Sequence, residues 1–315
     1  MDATRQVRAA IRAADDDLVQ RYPFLGRDDG MAVGFFLLAL GGSAAICVGW
    51  WTGQLPTWLA IVGLAFTISI LHEMEHDLIH DLYLAHPVVR PLVLLSIWLA
   101  KGSLDPWTRG SMHLWHHIVS GQDEDIEERL IGLGLPWGPL RALITLVPPV
   151  SIVLRPRLKK AVRARAAAGG RSPDPRAHSA PWPLFLGNAV LFLLPAVALV
   201  GFFMEMPWAW PCLVLWVLPN VLRHGSIATL SSSSHYVAIQ RGVVAEQNQI
   251  LDHPMFWPLA IFSWNFGATH VMHHFLVKQP FWRRTLTFSA VRGVMVENGV
   301  RANDLGTFRR ANRYA

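Results

Sequence analysis

The sequence predicts an all-α integral membrane protein: about four transmembrane helices, with interfacial helices and a cytosolic histidine-rich cap. Three observations lead there. The 315 residues are 52% hydrophobic and only 16% charged, a profile unusual for a soluble domain and normal for a polytopic membrane protein. Several uncharged runs are long enough to cross about 30 Å of hydrocarbon. Three histidine clusters at helical spacing stand at the ends of apolar segments. They are HEMEHDLIH (His72, His76, His80), HLWHH (His113, His116, His117) and HVMHH (His270, His273, His274).

The chain opens on a charged, polar segment of 29 residues in which Arg5, Arg8 and Arg12 stand at helical spacing. These do not read as a signal peptide but as a helix lying on a membrane surface. Residues 31–52 form a first span. A turn at GQLP (53–56) follows, and 57–71 run apolar into His72. Residues 183–204 form a third span, and 208–222 a fourth that ends at Arg223 and His224. The two short connections carry no Lys or Arg. The 155–176 connection holds Arg155, Arg157, Lys159, Lys160, Arg163, Arg165, Arg171 and Arg176 against Asp174. The positive-inside rule therefore places this loop and both termini in the cytoplasm. Two shorter apolar stretches, 88–100 and 130–154, are interrupted by Gly and Pro and read as interfacial or re-entrant pieces. Making 130–154 a full span would put the third cluster on the face opposite the first two; four spans put all three on one face.

Cys47 and Cys212 each lie inside an apolar run. They form no CxxC knuckle and no disulfide framework, which excludes iron–sulfur and zinc-ribbon readings. The net charge of +6 comes with no nucleic-acid-binding motif, so no nucleic-acid partner is expected.

Neutral imidazole is the commonest transition-metal ligand. Residues three or four apart on a helix share a face, so each cluster can aim two or three ring nitrogens at one point. Nine histidines exceed the needs of one ion, and imidazole-rich coordination without thiolate suits iron, copper or zinc. A two-metal site is the expectation. His86 and His178 read as polar residues at helix ends, and His253 as a turn residue. His235, in SSSSHY, reads equally as a ligand or as a residue orienting one. HEMEH also fits the HExxH zinc-protease motif, with His72 and His76 on zinc and Glu73 as base. That reading leaves both HxxHH clusters unexplained. A metal transporter would place its ligands at mid-membrane depth, not at span ends.

The three clusters resemble the histidine boxes of the membrane fatty acid desaturase and hydroxylase superfamily, non-haem di-iron enzymes of lipid metabolism. The similarity covers about residues 31–290. It implies a membrane catalytic domain there, a cytosolic or interfacial segment over 1–30 and a basic cytosolic tail over 291–315. HEMEH is similar to the family's HExxH form and HDLIH to its HDxxH form, so two registers compete; His72 and His76 are favoured, with His80 included. The family also implies an extra ligand on the fourth span, for which Asn220 and His224, four apart, are the candidates. Asn220 would act directly or through water.

The resemblance further implies two iron ions (Fe2+/Fe3+), dioxygen as co-substrate, and attack on an unactivated C–H bond of an apolar lipid-type substrate. A fatty acid or acyl-lipid desaturase is the first expectation, and a hydroxylase of alkanes, fatty acids or terpenoids the alternative. Trp107, Trp115, Trp264, Phe266 and Phe275 are candidates to line a dry cavity. The acidic run Asp123 to Glu128 reads as a solvated loop in which Asp123 or Asp125 could accept from ligand imidazoles. No haem domain, rubredoxin knuckle or Rossmann fingerprint is visible, so electrons are expected from a separate ferredoxin, rubredoxin or cytochrome. The basic loop and Arg309, Arg310 and Arg313 could dock such an acidic carrier or anionic lipid. The expected location is the bacterial inner membrane, with both termini and the active site cytoplasmic.

Overall fold

A computed structural model describes residues 2–125, 127–128, 131, 135–146 and 182–315. The basic connection 155–176, His178, and most of the 130–154 stretch lie outside the described residues. Four helices are long and apolar enough to cross a membrane: α2 (Asp28–Trp51), α3 (Thr57–Ile79), α7 (Trp182–Phe203) and α8 (Ala209–Ser234). Around them stand α1 (Ala3–Arg21), α4 (Val89–Lys101), α5 (Pro106–Val119), α6 (Pro139–Leu146), α9 (Pro254–Ser263), α10 (Phe266–Phe275) and α11 (Phe281–Glu297). Among the described residues there are no strands, only isolated bridges. In lipid a helix satisfies its own backbone groups, which is why the apolar runs take this form.

The spans divide by burial. Both α2 and α7 show apolar side chains outward, among them Leu37, Leu38, Leu193 and Val200, whereas α3 and α8 are the half-buried centre of the bundle. The tight turn after α2 closes through Gln54 and Leu55 N–H groups on the Gly49 carbonyl (2.8 and 2.9 Å). Ser43 and Thr67 then hydrogen-bond across α2 and α3 at 2.7 Å, a membrane-type interhelical contact.

Helix α3 does not stop at His72. It runs to Ile79 with His80 as its C-cap, and carries three buried carboxylates, Glu73, Glu75 and Asp77. Each is an anchor. Glu75 meets Lys101 of α4 and, at 2.8 Å, Arg109 of α5. Asp77 accepts from the Phe281 N–H at 2.8 Å and from Arg284 at 3.1 Å, and Glu73 lies 3.5 Å from Arg284. The charged half of this span thereby pins the extramembrane cap onto the bundle.

The largest departure concerns α8. Apolarity fades after Leu222, but the helix continues to Ser234. Its Ser and Thr hydroxyls bond back to carbonyls one turn earlier: Ser226 to Leu222 (2.9 Å), Thr229 to Gly225 (2.7 Å), Ser233 to Thr229 (2.7 Å). Such back-bonding lets a polar run stay helical inside a bundle. A π-helical turn at Leu213–Val217 precedes Pro219, the kind of adjustment a proline imposes by lacking an N–H.

Helix α4 is amphipathic, with Val93, Leu94 and Ile97 inward and Leu92 and Leu99 exposed, in keeping with an interfacial piece. It ends on Gly102 at φ +59, where an added Cβ would sit 2.2 Å from the Trp216 ring. Glycine is required there on both counts. Helix α5 starts on Asp105, which caps Thr108 N–H (2.8 Å) and exchanges two 2.8 Å bonds with Asn188 of α7.

The terminal segments pack on the cap. Val7 and Ile11 of α1 are fully buried in one core with Phe275, Val291 and Met295. Arg8 donates to the Phe275 carbonyl at 2.8 Å, serving the C-terminal end of α10. The basic tail also folds back: the Val237 N–H donates to the Asn312 carbonyl (2.8 Å), and the Asn312 amide donates to the Ser232 and His235 carbonyls (2.9 and 2.6 Å). Asn312, fully buried, thus satisfies carbonyls that the end of α8 would leave orphaned.

Candidate metal centre

Four elements deliver the histidines. The end of α3 supplies His76 and His80, α5 supplies His113, His116 and His117, the C-cap of α8 supplies His235, and α10 supplies His270, His273 and His274. They converge into two adjacent groups. His76, His80, His113 and His273 place ring nitrogens within 4.8 Å of one another, as do His116, His235, His270 and His274. His117 joins the first group, its Nε2 lying 3.2 Å from that of His113 and 3.0 Å from that of His273. All of the eight grouped residues are buried.

The spacing tests whether an ion fits. Two imidazole nitrogens on one ion at about 2.0–2.1 Å stand about 2.8–3.4 Å apart for bond angles between octahedral and tetrahedral. His273 Nε2 lies 3.0 Å from His80 Nε2; His270 Nε2 lies 3.1 Å from both His235 Nε2 and His274 Nε2. A ring nitrogen carries at most one proton, so these contacts cannot all be hydrogen bonds. His76 Nε2 is buried with no hydrogen-bond partner, an orphan that a cation would satisfy. The donor set fits a pair of transition-metal ions.

Outside the groups, acceptors hold the far ring nitrogens. His113 Nδ1 lies 2.9 Å from Glu127, His116 Nδ1 2.7 Å from Asp125, and His274 Nδ1 2.7 Å from Gln247 Oε1. His235 Nδ1 is 2.9 Å from the Ser231 carbonyl and 3.2 Å from Glu128. An acceptor at Nδ1 fixes the proton there and frees the Nε2 lone pair for an ion. The acidic run after box two is therefore a set of histidine anchors rather than a solvated loop. His273 differs, its Nδ1 facing the Arg284 guanidinium at 3.0 Å.

Electrostatics favour the ligating form. Burial, reinforced by His113, pushes His80 down to about 2; burial and His116 push His235 down to about 3. Burial, with His113 beside His117, His235 beside His270 and His117 beside His274, holds these three well below the ordinary histidine range. His116 is the exception: burial opposes its charge, but Asp125 together with Glu128 and Glu127 raises the group to about 10.

The other sequence candidates lie elsewhere. His72 turns its Nδ1 to Arg223, which donates at 3.2 Å, so it stands outside both groups while HDLIH supplies the converging pair. His224 hydrogen-bonds the backbone of Thr145. Asn220 donates to the Ala100 and Trp216 carbonyls (2.9 and 3.0 Å) and accepts from Arg223 at 3.4 Å. The physical reason is the length of α8: its continuation carries His235, not His224, to the centre. Glu73, committed to Arg284, and His72, held by Arg223, do not assemble an HExxH zinc site with His76. His86 accepts from the Val88 and Val89 N–H groups and His253 caps Met255, both as local turn residues.

A cavity of about 210 Å³ opens on both groups. Phe192, Ile227 and Phe266 supply apolar wall; His72, Lys101, Arg109, Arg223 and His224 line its polar part. Of the aromatic candidates Phe266 lines it, stacked on His270 with centroids 4.1 Å apart. Trp264 packs with Phe35 and Phe281 in the core, Phe275 belongs to the cluster under α1, Trp115 donates to the Glu124 carbonyl and Trp107 is exposed. Gln247, Glu127, Glu128, Arg284 and Phe192 are site residues that sequence reasoning missed. The only signal for the four polar ones was polarity, shared with every surface loop, and Phe192 looked like any other apolar residue of its span.

The fatty acid desaturase family model matches residues 49–306, which takes in all three histidine clusters and His235. No curated protein matches the chain.

Proposed function

The chain belongs to the fatty acid desaturase family, and from that premise we propose that it is a dioxygen-dependent membrane di-iron oxidoreductase that attacks an unactivated C–H bond of a lipid-type substrate. Desaturation of a fatty acid or acyl lipid is the first reading, hydroxylation the alternative, since both share the first hydrogen abstraction. The observation that carries the proposal is the pair of all-imidazole groups opening on one cavity.

His76, His80, His113 and His273, with His117, would hold one iron; His116, His235, His270 and His274 would hold the other. Iron bound there would supply dioxygen activation and the oxidising power that C–H attack needs. The protein's own part is orientation and exclusion. Asp125, Glu127 and Gln247 keep Nδ1 protonated so that Nε2 faces inward. Phe192, Ile227 and Phe266 keep water from the reacting carbon. Electrons would arrive from a separate ferredoxin, rubredoxin or cytochrome.

The test is mass spectrometry of lipids from cells with and without the gene. Loss of two hydrogens from a lipid species marks desaturation and gain of one oxygen atom marks hydroxylation. An unchanged lipid profile, together with stoichiometric zinc and no iron in protein from iron-replete cells, would sink the oxidase reading.

We place the chain in a bacterial inner membrane with both termini and the histidine end cytoplasmic, on the strength of the charge asymmetry of its connections. In a background lacking Cys47 and Cys212, a cysteine at Gln54 or Pro207, both exposed at span turns, is expected to react with an impermeant thiol reagent from outside. A cysteine at exposed Arg309 is expected to react only after the membrane is opened. Labelling of Arg309→Cys in intact cells would overturn the orientation.

A further inference from the structure

Arg223 is an unusual cavity wall. It sits in a candidate span, is 2% exposed, and among the described residues no carboxylate lies within ion-pair distance of it. The buried acid that acts on it, Glu75, is already shared by Lys101 and Arg109. At this end of the cavity Lys101 and Arg223, both buried, and Arg109, 15% exposed, gather around Glu75. The acids that line the cavity, Glu127 and Glu128, stand on His113 and His235 at the metal end. A buried charge without a partner is costly and is retained where something pairs with it.

The hydrogen-bond count says what that partner offers. A guanidinium has five N–H donors. Arg223 spends three: Nε on the Asn220 carbonyl oxygen (3.4 Å), one NH1 donor on His72 Nδ1 (3.2 Å), one NH2 donor on the Lys101 carbonyl (3.5 Å). One donor remains on each terminal nitrogen, and a carboxylate has two oxygens to accept such a pair. His72, with Nδ1 accepting, keeps its proton on Nε2 and adds another donor to the same wall.

Resting on the desaturase-type reading above, we propose that the substrate is an apolar molecule ending in an anionic carboxylate, which Arg223 receives inside the bundle, with its hydrocarbon body along Phe192, Ile227 and Phe266. The enzyme then works on a free fatty acid or like carboxylic acid rather than on a neutral hydrocarbon or an esterified lipid. Arg223 acts as a specificity residue, and His72 belongs to the substrate wall, one turn away from the metal ligand His76.

The test is binding of radiolabelled hexadecanoate to detergent-purified, iron-loaded protein, competed with unlabelled hexadecanoate, methyl hexadecanoate, hexadecane and phosphatidic acid. Hexadecanoate is expected to compete at least about tenfold better than ester and alkane, since a charge-assisted bidentate pair is lost without the carboxylate. Arg223→Gln is expected to weaken hexadecanoate by about tenfold or more and leave iron content unchanged, with Arg223→Lys recovering part of the loss. Equal competition by acid and ester overturns the proposal; so does undiminished hexadecanoate binding in Arg223→Gln. Stronger competition by phosphatidic acid assigns the site to a phosphate headgroup and overturns it as well. The acid-against-ester comparison uses the unaltered protein, so it stands even where Arg223→Gln fails to fold. Acid-selective binding in a protein that oxidises no lipid would retain the carboxylate site and sink the oxidase reading instead.

Discussion

Alanine at His273 is expected to abolish turnover, by more than about 100-fold, and to lower iron from close to two per chain toward one. The loss should exceed the 10–100-fold typical of removing a residue that only supports a ligand. His273 Nε2 lies 3.0 Å from both His80 Nε2 and His117 Nε2, so its removal opens the centre of the first group. Alanine at His113 should act in the same way, and alanine at His117 or His274 should also stop turnover. The side chains lie on the cap and at helix ends rather than on lipid-facing surface, so protein yield and membrane insertion should hold. His86→Ala is the control: this exposed residue only accepts turn N–H groups, and its loss should be nearly silent. Metal analysis and turnover, measured on the same preparations, check both claims. Full activity in His274→Ala protein would remove the third box from the site.

Most of the fold was legible because lipid makes few demands on sequence beyond length and apolarity. The first and third spans, expected at 31–52 and 183–204, fall at Asp28–Trp51 and Trp182–Phe203. The second was cut short at His72 and the fourth at Leu222 for the same reason: charge and hydroxyls end an apolar run without ending a helix. In α3 the charges are matched by Lys101, Arg109 and Arg284; in α8 the hydroxyls bond back to the helix.

Eight of the nine clustered histidines lie in the site, all but His72, and the geometry itself was not legible. Helical spacing allowed both HEMEH and HDLIH to present a pair. What separates them is Arg223, 151 residues away in sequence, turning to His72. Asp125 was a candidate acceptor in the acidic run, but Glu127 and Gln247 carry no signature of their own, because only packing brings them to His113 and His274. The basic tail likewise looked like a free surface element, yet Asn312 closes the end of α8, through contacts that no local pattern records.

His235→Ala is expected to lose one iron per chain and all turnover, whereas His224→Ala and His72→Ala retain both irons. Along α8, eleven residues at about 1.5 Å each separate His224 from His235 by about 16 Å, too far for both to reach one ion. His235 Nε2 lies 3.1 Å from His270 Nε2, and its Nδ1 is held by the Ser231 carbonyl at 2.9 Å. That is the posture of a ligand with its second nitrogen fixed. Asn220→Ala should leave the iron count alone and cost stability instead, about 1–3 kcal/mol, because it strips the Ala100 carbonyl and Arg223 of a buried partner. Mössbauer spectra resolve the comparison: one of two iron signals should vanish in His235→Ala protein and both should persist in the other three. Two irons in His235→Ala protein with one in His224→Ala protein would move the second ion three turns up the span, toward Asn220 and His224.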